Sequence, residues 1–497
     1  MVRLSLSRVV TRSAQADPDR VVAVCGDAVL TAAGLETAAN RYARDLRRRG
    51  VRRDDLVTLA VPNGLAALVA TVAVWKAGAT PQPVSRGLSA DERDAVVATA
   101  RPALTVGFAV PGVPSLPADH EPESADAGPL PDVWARSWKA PTSSGSTGRP
   151  KVVLATAPAL LDPDRPVAPF LPLHATQLVS GPLMHSATFT YALRGLLTGH
   201  RLVVLPRFDE HAWLDAVEEH AVTWAMVVPT TMHRLLRVSP ERRAPARVAS
   251  LGTVLHLGAP CAPELKRRFL DWLGPERVLE VYAGSESNGL TTIRGDEWLR
   301  RPGSVGRPVP GTEVRVLRPD GTAAGPGEDG LVWLRRGEEP AYRYLGAVSR
   351  RTSDGWDTLG DVGHLDADGY LWITDRDDDV VVRGGEKIHP VEVERVLERH
   401  PAVRSAVAFG VPDEEYGQQV AAVVDVAGAD VGADDVLTFA RAHLDAPRRP
   451  VDVEVAHEPV RDDAGKVRRR WWAARWVAAR ADVSPGAPSS PARRASS

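Results

Sequence analysis

Short apolar runs alternate with stretches of helical length over residues 21–317. Residues 201–205, 223–228 and 254–257 have the length and composition of buried strands, and residues 210–220 and 231–238, which separate them, have helical periodicity. Alternation of this kind requires crossover connections, so the strands pair in parallel and the helices cover the sheet faces. The sequence therefore predicts an α/β fold with doubly wound parallel sheets, in which ligands bind at the carboxyl ends of the strands.

The pattern changes at about residue 303, where short strands and glycine turns such as Pro319-Asp320-Gly321 continue to about residue 372. This succession of short strands and glycine turns predicts a small β-rich unit within a large N-terminal domain of residues 1–377.

A new α+β unit begins after the acidic stretch 375–379. Its first helix is predicted over residues 391–400, between Pro390 at the N1 position and Pro401. Strands are expected over 405–410 and 419–426. These features predict a small C-terminal domain of residues 378–478 and a disordered tail of residues 479–497, which is rich in Ser, Pro, Ala and Arg.

Composition narrows the class of protein. A chain of 497 residues with 44% hydrophobic content buries more than one core. A net charge of −2 leaves no electrostatic footprint for nucleic acid. The two cysteines, Cys25 and Cys261, are too few for a disulfide framework or a zinc site. Residues 1–20 lack the apolar run of a signal peptide. We therefore expect a cytoplasmic protein.

Residues 56–75 are apolar over about the length of a membrane span. The turn signal Pro62-Asn63-Gly64 interrupts them. This segment therefore predicts a strand, a turn and a helix over residues 65–76, and no membrane span.

The most informative segment for function is a hydroxyl-rich glycine loop: Thr142-Ser143-Ser144-Gly145-Ser146-Thr147-Gly148-Arg149-Pro150-Lys151. Its glycines permit close approach of the backbone to an anion, its hydroxyls are donors, and Lys151 adds a positive charge. The spacing is not that of a Walker A loop. A buried strand is predicted after it, so a phosphate-binding loop is favoured over a flexible surface loop.

Lysine usage gives a second signal. Of 61 basic residues, six are lysine: Lys76, Lys139, Lys151, Lys266, Lys387 and Lys466. Since arginine fills most basic positions, a remaining lysine is more often one that needs a compact ammonium. This marks Lys151, Lys387 and Lys466 for inspection.

Seven motifs in order resemble those of the adenylate-forming superfamily of acyl-CoA synthetases, adenylation domains and luciferases, over about residues 10–475. They are the glycine loop, the adenine turn Gly258-Ala259-Pro260, the signature Tyr282-Ala283-Gly284-Ser285-Glu286, the stretch 356–361 ending in Asp361, the hinge segment 375–379, the segment 384–394, and residues 461–466. The resemblance implies a large N-terminal domain followed by a small mobile C-terminal domain.

The resemblance also implies roles in attack by a carboxylate on the α-phosphate of ATP, which brings two anions together. Residues Thr142, Ser143, Ser144, Gly145, Ser146, Thr147, Gly148 and Lys151 would hold the phosphates. Ser285 would donate to the α-phosphate, and Glu286 would hold Mg²⁺. Lys466 would bridge the carboxylate and the α-phosphate. The nucleoside would contact Gly258, Ala259, Pro260, Tyr282, Ala283, Asp361 and Arg376.

Several residues have a structural interpretation as well. Asp361 is also typical of an Asx turn, and His185 of a core histidine whose ring nitrogens are hydrogen-bonded within the protein. Lys466 is also typical of a lysine in a solvent-exposed turn. Family order favours the functional role for Asp361 and Lys466, and the two interpretations of His185 stay even. Lys387 is expected on a CoA-facing or structural surface and Cys261 in a buried apolar site.

Three positions depart from the family pattern. Leu359 stands where the family has threonine, Ala283 replaces a glycine, and Ser285 replaces a threonine. None of these changes removes a charge that the chemistry needs.

The acid pocket should be lined by residues 185–191, 228–232, 257–259 and 284–289, including His185, Thr230 and Gly284, with no obvious buried cation or anion. The segment around Leu359 and residues 229–232 look closest to bile-acid and fatty-acid CoA ligases.

The predicted reaction is ATP-dependent formation of acyl-AMP, followed by thioester formation with CoA, with Asp378 as the hinge between the two steps. The small acid, ATP, Mg²⁺ and CoA are the implied partners. Alternatives are loading of a free-standing carrier protein through its phosphopantetheine, ATP-dependent activation of nitrite by a diazotase, and a non-catalytic nucleotide-binding protein.

Overall fold

The computed structural model describes residues 3–144, 150–426, 428, 430–462 and 465–481. These residues form two compact units. The larger contains the chain up to Asp377 together with the segment Asp462–Lys466, and the smaller contains Asp378–Arg461 and the chain from Val467 onward.

The larger unit is built on a thirteen-stranded sheet whose central strands are parallel. In spatial order the parallel strands are Val21–Cys25, Arg201–Val204, Thr176–Val179, Trp224–Val227, Thr253–His256 and Val278–Ala283. Antiparallel strands extend both edges: Ala28–Thr31 on one side, and Leu290–Arg294, Ser304–Pro308, Leu371–Arg376, Asp361–Leu365, Gly330–Arg335 and Glu313–Leu317 on the other. The β-rich stretch therefore continues the large sheet, because Ser304–Pro308 pairs with Leu290–Arg294.

Helices cover both faces of the parallel strands. Successive residues of a strand point to opposite faces, so Leu202 and Val204 pack into one apolar cluster and Val203 into another. The first cluster takes helices Leu6–Ala16, Ala32–Arg48, Leu65–Lys76 and Ser186–Leu197, and the second takes Glu210–Glu219, Pro229–Arg237 and Pro263–Leu273. This arrangement confirms the predicted α/β fold class.

A second sheet has four parallel strands, in the order Thr80–Pro83, Leu56–Leu59, Leu104–Val106 and Ser115–Leu116. The apolar segment 56–76 is the predicted strand, turn and helix, and helix Leu65–Lys76 is buried in the first cluster. Among the described residues, no helix has the length and apolarity to cross a membrane.

The glycine loop is flanked by a three-stranded antiparallel sheet of Thr142–Ser144, Pro150–Ala155 and Tyr342–Leu345. The predicted loop thus starts as a strand and ends inside one. Its central residues, 145–149, lie outside the described part of the chain.

The remaining elements of the larger unit are short. They are the paired strands Leu4–Ser5 and Leu160–Leu161, the helices Ala90–Ala100 and Gly295–Trp298, and the 3-10 turns Pro245–Val248 and Pro275–Arg277.

The smaller unit has a sheet of Ser405–Asp413, Gly417–Asp425 and Val453–Ala456, a hairpin of Val381–Arg383 and Glu386–Ile388, and helices Pro390–Leu397, Ala433–His443 and Arg469–Ala481, with a 3-10 turn at Ala446–Arg448. Pro390 begins its helix at N1 as predicted. The last helix continues to Ala481, so the predicted start of the tail at residue 479 is wrong by one helical turn. Residues 482–497 lie outside the description.

Candidate active site

Three residues from distant parts of the sequence meet beside the glycine loop. The Lys151 ammonium lies 3.3 Å from Glu286 Oε1 and 2.8 Å from the Tyr344 hydroxyl. The Tyr344 hydroxyl donates to the same Glu286 oxygen at 2.5 Å. The ammonium also lies 4.2 Å from the centroid of the Tyr344 ring, a cation–π contact. The cluster joins the exit strand of the loop to the signature segment.

Glu286 is held as a carboxylate in this cluster. Burial alone would raise its pKa, but attraction by Lys151 and the hydrogen bond from Tyr344 outweigh that effect, so the pKa of Glu286 lies below its ordinary value. Burial and the negative charge of Glu286 raise the pKa of Tyr344, which keeps its hydroxyl protonated and donating. The result is a buried negative charge next to a lysine.

The sequence reasoning missed Tyr344. It lies on the strand Tyr342–Leu345, which returns to pair with Pro150–Ala155. The spacing Tyr342-Arg343-Tyr344 places both tyrosines on one face of that strand, and their ring centroids are 4.7 Å apart. This alternation of the two tyrosines was the feature of the sequence that could have drawn attention to Tyr344.

Glu286 is the residue that would provide the protein ligand for Mg²⁺ in this structure. The described residues contain no group of three His, Cys, Asp or Glu side chains that would cage a metal. Mg²⁺ bound with a nucleotide takes one or two carboxylates and completes its shell with phosphate oxygens and water. A single buried, ionised carboxylate beside a phosphate loop fits that requirement.

Only the two ends of the predicted phosphate loop are described. Thr142 pairs with Val152 across the sheet, and its hydroxyl accepts a hydrogen bond from Gln82 at 2.9 Å. Ser143 and Ser144 lie in the same strand, but their side chains, like residues Gly145, Ser146, Thr147 and Gly148, lie outside the described part.

The predicted ribose site is an ordered polar group. The Tyr282 hydroxyl donates to Asp361 Oδ2 at 2.6 Å, and Arg376 Nε lies 3.3 Å from Asp361 Oδ1. Asp361 and Arg376 face each other on neighbouring strands. Burial and the Asp361 charge raise the pKa of Tyr282 well above its ordinary value. A carboxylate with about four lone-pair positions retains capacity for ribose hydroxyls after these two contacts.

The predicted adenine turn lies where the fold predicts a ligand. Gly258, Ala259 and Pro260 follow the strand Thr253–His256, and Ala283 ends the adjacent parallel strand Val278–Ala283. Their carboxyl ends therefore meet at one edge of the sheet. Gly258 has a φ of +94°, a left-handed conformation that favours glycine.

Gly284, the residue after Ala283, is closely surrounded by the side chains of Leu359 and Glu286. A Cβ on Gly284 would lie 2.6 Å from Leu359 Cδ2 and 2.8 Å from Glu286 Oε2. Leu359, at the position where the family has threonine, therefore packs on Gly284. Ser285 is half-buried between Gly284 and Glu286.

Two residues of the predicted acid pocket lie at or near the starts of helices. His185 precedes the helix Ser186–Leu197 and is half-buried, as is Thr230 in helix Pro229–Arg237. The Lys139 ammonium donates to Ser186 Oγ at 3.1 Å and to Thr190 Oγ1 at 2.7 Å, two of the residues predicted to line the pocket.

Lys466 lies in a tight turn that belongs to the larger unit. The Lys466 backbone N–H donates to Asp462 Oδ1 at 2.9 Å, and the Asp462 N–H donates to the Lys466 carbonyl at 2.9 Å. Partial desolvation lowers the pKa of the Lys466 ammonium. Attraction by Asp462 and Glu286 opposes this shift, while repulsion by Arg376 and Lys151 adds to it. The ammonium is therefore in the electrostatic field of the predicted site.

The predicted hinge residue begins the smaller unit, since the division of the chain falls between Asp377 and Asp378. The side chains of Asp378 and Lys387 lie outside the described part. Cys261 is partly buried and packs against an apolar cluster.

Comparison with known proteins identifies the class. The model of the AMP-binding enzyme family matches residues 10–344, and that of the AMP-binding enzyme C-terminal domain matches residues 392–466. The first match spans more than half of the chain. The chain therefore belongs to the AMP-binding enzyme family, and the predicted membership of the adenylate-forming superfamily is confirmed.

Similar proteins refine this assignment. The chain is 32% identical over 485 residues to a feruloyl-CoA synthase from an Amycolatopsis species, covering 92% of this chain and 96% of the relative. It is 35% identical over 387 residues to a sulfoacetate–CoA ligase from Cupriavidus necator, covering 74% and 72%. Its fold matches o-succinylbenzoate CoA synthetase from Bacillus subtilis, in complex with an acyl-adenylate intermediate, with a TM-score of 0.80 at 23% identity over 95% and 98% of the two chains. The chain is an ATP-dependent ligase of the acyl-CoA synthetase type.

Proposed function

We propose that this chain activates a small, functionalised carboxylic acid with Mg²⁺ and ATP at the cluster of Lys151, Glu286 and Tyr344, and transfers the acyl group to CoA. The observation that carries this proposal is the direct contact of these three side chains beside the glycine loop. A nucleotide site needs positive charge for phosphate and a hard oxygen ligand for Mg²⁺, and this cluster supplies both.

The roles within the site follow from charge. Lys151 and the backbone of the glycine loop would hold the β- and γ-phosphates, which leave as pyrophosphate. Glu286 would hold Mg²⁺, which supplies neutralisation of phosphate charge when bound. Tyr344 fixes the orientation of the Glu286 carboxylate. Ser285, the residue before it, would donate to the α-phosphate.

The nucleoside would bind at the adjacent sheet edge. Asp361 would accept the ribose hydroxyls, with Arg376 beside it, while Gly258, Ala259 and Pro260 would contact the adenine. The hydrogen bond from Tyr282 to Asp361 supports this assignment, because it fixes the carboxylate before the nucleotide arrives.

Lys466 would stabilise the charge that develops between the acid and the α-phosphate. Its ammonium interacts electrostatically with Glu286 and Lys151 in the larger unit, which supports this role. The chain on either side of Asp462–Lys466 belongs to the smaller unit. We further propose that residues 378–478 rotate about Asp378, withdraw Lys466 after adenylation and admit CoA.

The names of the relatives support a small acid. Feruloyl-CoA synthase, oxalate–CoA ligase, sulfoacetate–CoA ligase and 2-succinylbenzoate–CoA ligase act on short or aromatic acids. We therefore propose an acid of this size for this chain. A reducing cytoplasm suits the two cysteines, neither of which forms a disulfide.

The deciding experiment separates the two half-reactions. Lys466→Ala should lower pyrophosphate release by about 100-fold or more, since a positioned charge at a developing anion contributes on this scale. It should leave CoA transfer from supplied acyl-AMP within a few fold of the wild type. Arg470→Ala, a loss of charge four residues away, is the matched control and should change neither rate.

Each outcome has a meaning. Equal loss of both half-reactions in Lys466→Ala contradicts the alternation. Absence of pyrophosphate release with every acid and with nitrite contradicts catalysis and favours a nucleotide-binding protein. Release with nitrite alone identifies a diazotase, and a thioester formed only on carrier-protein phosphopantetheine identifies a loading enzyme.

A further inference from the structure

An open cavity of about 470 Å³ lies in the larger unit, outside the candidate active site. Its described lining contains none of the residues of the Glu286 cluster, the Asp361 group or the predicted adenine turn. Four lining residues are arginines and one is an aspartate: Arg3, Arg165, Arg194, Arg336 and Asp162. This arginine cavity therefore has an excess of three positive charges, in a chain whose net charge is −2.

Strand pairing brings the N-terminal arginine to the cavity. The strand Leu4–Ser5 pairs antiparallel with Leu160–Leu161, so the register carries Arg3 to the position opposite Asp162. The carboxylate of Asp162 lies 3.7 Å from Arg165 Nε. The aspartate therefore already has a cationic partner, and it offsets only part of the positive charge around it.

Arg194 differs from the other three arginines. It lies in the last turn of helix Ser186–Leu197 and is half-buried, with its guanidinium carbon 4.0 Å from the centroid of the Trp138 ring. Among the described residues, none accepts a hydrogen bond from this guanidinium and no carboxylate pairs with it. Its five N–H donors lie in the plane of the group, so contact with the face of an aromatic ring leaves them available to an anion.

The charge of Arg194 is not compensated within the described protein. Burial lowers its pKa to about 10, and repulsion by Arg3 adds to this shift. The group still carries its proton at neutral pH, so a cation with unused donors lines the cavity. Cations that proteins remove from water are normally paired. A bound anion would supply the missing partner for Arg194 and would reduce its repulsion by Arg3.

The rest of the lining indicates the kind of anion. Arginine binds phosphate through two parallel hydrogen bonds, which makes it the preferred residue for phosphate recognition. Six apolar residues complete the lining: Ala157, Pro158, Leu160, Leu161, Pro166 and Val167. These residues favour a ligand with an organic body over a bare inorganic ion. A volume of about 470 Å³ is within the range of cavities that bind organic ligands.

We propose that the arginine cavity is a binding site for an organic phosphate of about nucleotide size, with Arg194 and Arg336 as its principal ligands. The site goes beyond the proposed function, because its occupancy requires no turnover at the Glu286 cluster. Two sources have the same chemistry: the 3′-phosphorylated nucleotide end of CoA, and a free nucleotide.

Calorimetric titration without turnover tests the site. The probes are adenosine 3′,5′-bisphosphate, 1-naphthyl phosphate and inorganic phosphate, each added with saturating adenosine 5′-sulfamate, an AMP analogue that carries no phosphate. At least one organic probe should bind about tenfold or more tightly than inorganic phosphate. Arg194→Met should weaken the binding of that probe by about tenfold or more, because it removes a charged donor of two hydrogen bonds.

Three further variants separate binding from folding. Arg336→Glu reverses an exposed charge and should also weaken the probe by about tenfold or more, including the case in which Arg194→Met does not fold. Arg194→Lys keeps the charge without the planar fork and should retain part of the affinity. Arg237→Met is the matched control. It removes an exposed arginine from the last turn of another helix, Pro229–Arg237, and should leave the Kd within about twofold.

The outcomes distinguish this site from the ligase reaction. Organic probes that bind no better than inorganic phosphate overturn the site, as does an unchanged Kd in both Arg194→Met and Arg336→Glu. Absence of pyrophosphate release with every acid, alongside probe binding that depends on these arginines, contradicts the proposed function and supports the site.

A second measurement identifies the source of the phosphate. Inhibition of thioester formation by adenosine 3′,5′-bisphosphate that is competitive with CoA, and that Arg194→Met removes, assigns the site to the nucleotide end of CoA. Arginine-dependent binding of the probe without this competition assigns it to a free nucleotide.

Discussion

Replacing Lys139 by methionine should stabilise the ligand-free protein at pH 6. A pKa of about 7 against an ordinary value of 10.5 corresponds to on the order of 5 kcal/mol of unfavourable burial of the charge. The substitution also removes two hydrogen bonds, to Ser186 and Thr190, at about 1 kcal/mol each. Methionine fills a similar unbranched volume. The net expectation is a gain of about 3 kcal/mol in the free energy of unfolding.

The gain should disappear in alkaline solution. The folded-state pKa of Lys139 lies below the unfolded value, so below pH 7 both states carry the charge and the whole penalty is present. Above pH 7 the unfolded chain binds a proton that the native state does not, and the wild type gains about 1.4 kcal/mol per pH unit relative to Lys139→Met. The two proteins should therefore have nearly equal stability at about pH 9.

Urea denaturation without ligands at pH 6 and pH 9 measures both effects. Lys76→Met is the control, because it deletes an equally buried lysine but leaves the Glu36 carboxylate without its cation. It should destabilise the protein by about 3–5 kcal/mol. The reasoning is refuted if Lys139→Met is destabilised at pH 6 like Lys76→Met, or if its advantage is the same at both pH values.

Three further substitutions test the described contacts. Tyr344→Phe removes a hydrogen bond to the charged Glu286, worth about 1.5–3 kcal/mol, and should lower kcat/KM for ATP by about 10- to 100-fold in a pyrophosphate-release assay. Tyr282→Phe releases the Asp361 carboxylate and should raise the Kd of ATP by about fivefold, measured by calorimetry. Glu394→Gln removes a carboxylate, 2% exposed, that two arginines share, and should lower the thermal unfolding midpoint of the smaller unit.

Each of these three expectations would be contradicted by one outcome of its assay. An unchanged response to Mg²⁺ and ATP in Tyr344→Phe would remove the tyrosine from the site. A loss of kcat at unchanged ATP affinity in Tyr282→Phe would contradict its placement at the ribose. An unchanged midpoint in Glu394→Gln would show that the arginine pair does not depend on this carboxylate.

The sequence predicted those parts of the fold that local pattern determines. The alternation over residues 201–257 located its strands and helices to within two residues, since burial on both faces leaves continuous apolar runs. Pro390 marked a helix start because its geometry is fixed by its ring. The disordered tail was predicted to begin at residue 479 because the arginine- and alanine-rich end of the last helix resembles the segment that follows it.

The site was predicted less completely, for a physical reason. Glu286 and Lys151 lie in motifs, but the contact from Tyr344 depends on a strand pairing across 193 residues, which no local pattern encodes. Lys139 was counted among the six lysines without a role, because a lysine before a strand looks like any surface residue. Only the packing of helix Ser186–Leu197 against it creates the buried environment.

The strand Tyr342–Leu345 limits where the protein chain can be truncated. It forms an outer strand of the three-stranded sheet, and it lies at the very end of the segment that the AMP-binding family model covers. A fragment that stops at residue 335 would expose the edge of Pro150–Ala155 to non-native pairing and aggregation. Insertion tags, circular permutation and split reporters therefore belong in the solvent-exposed turn at Pro319-Asp320-Gly321 instead.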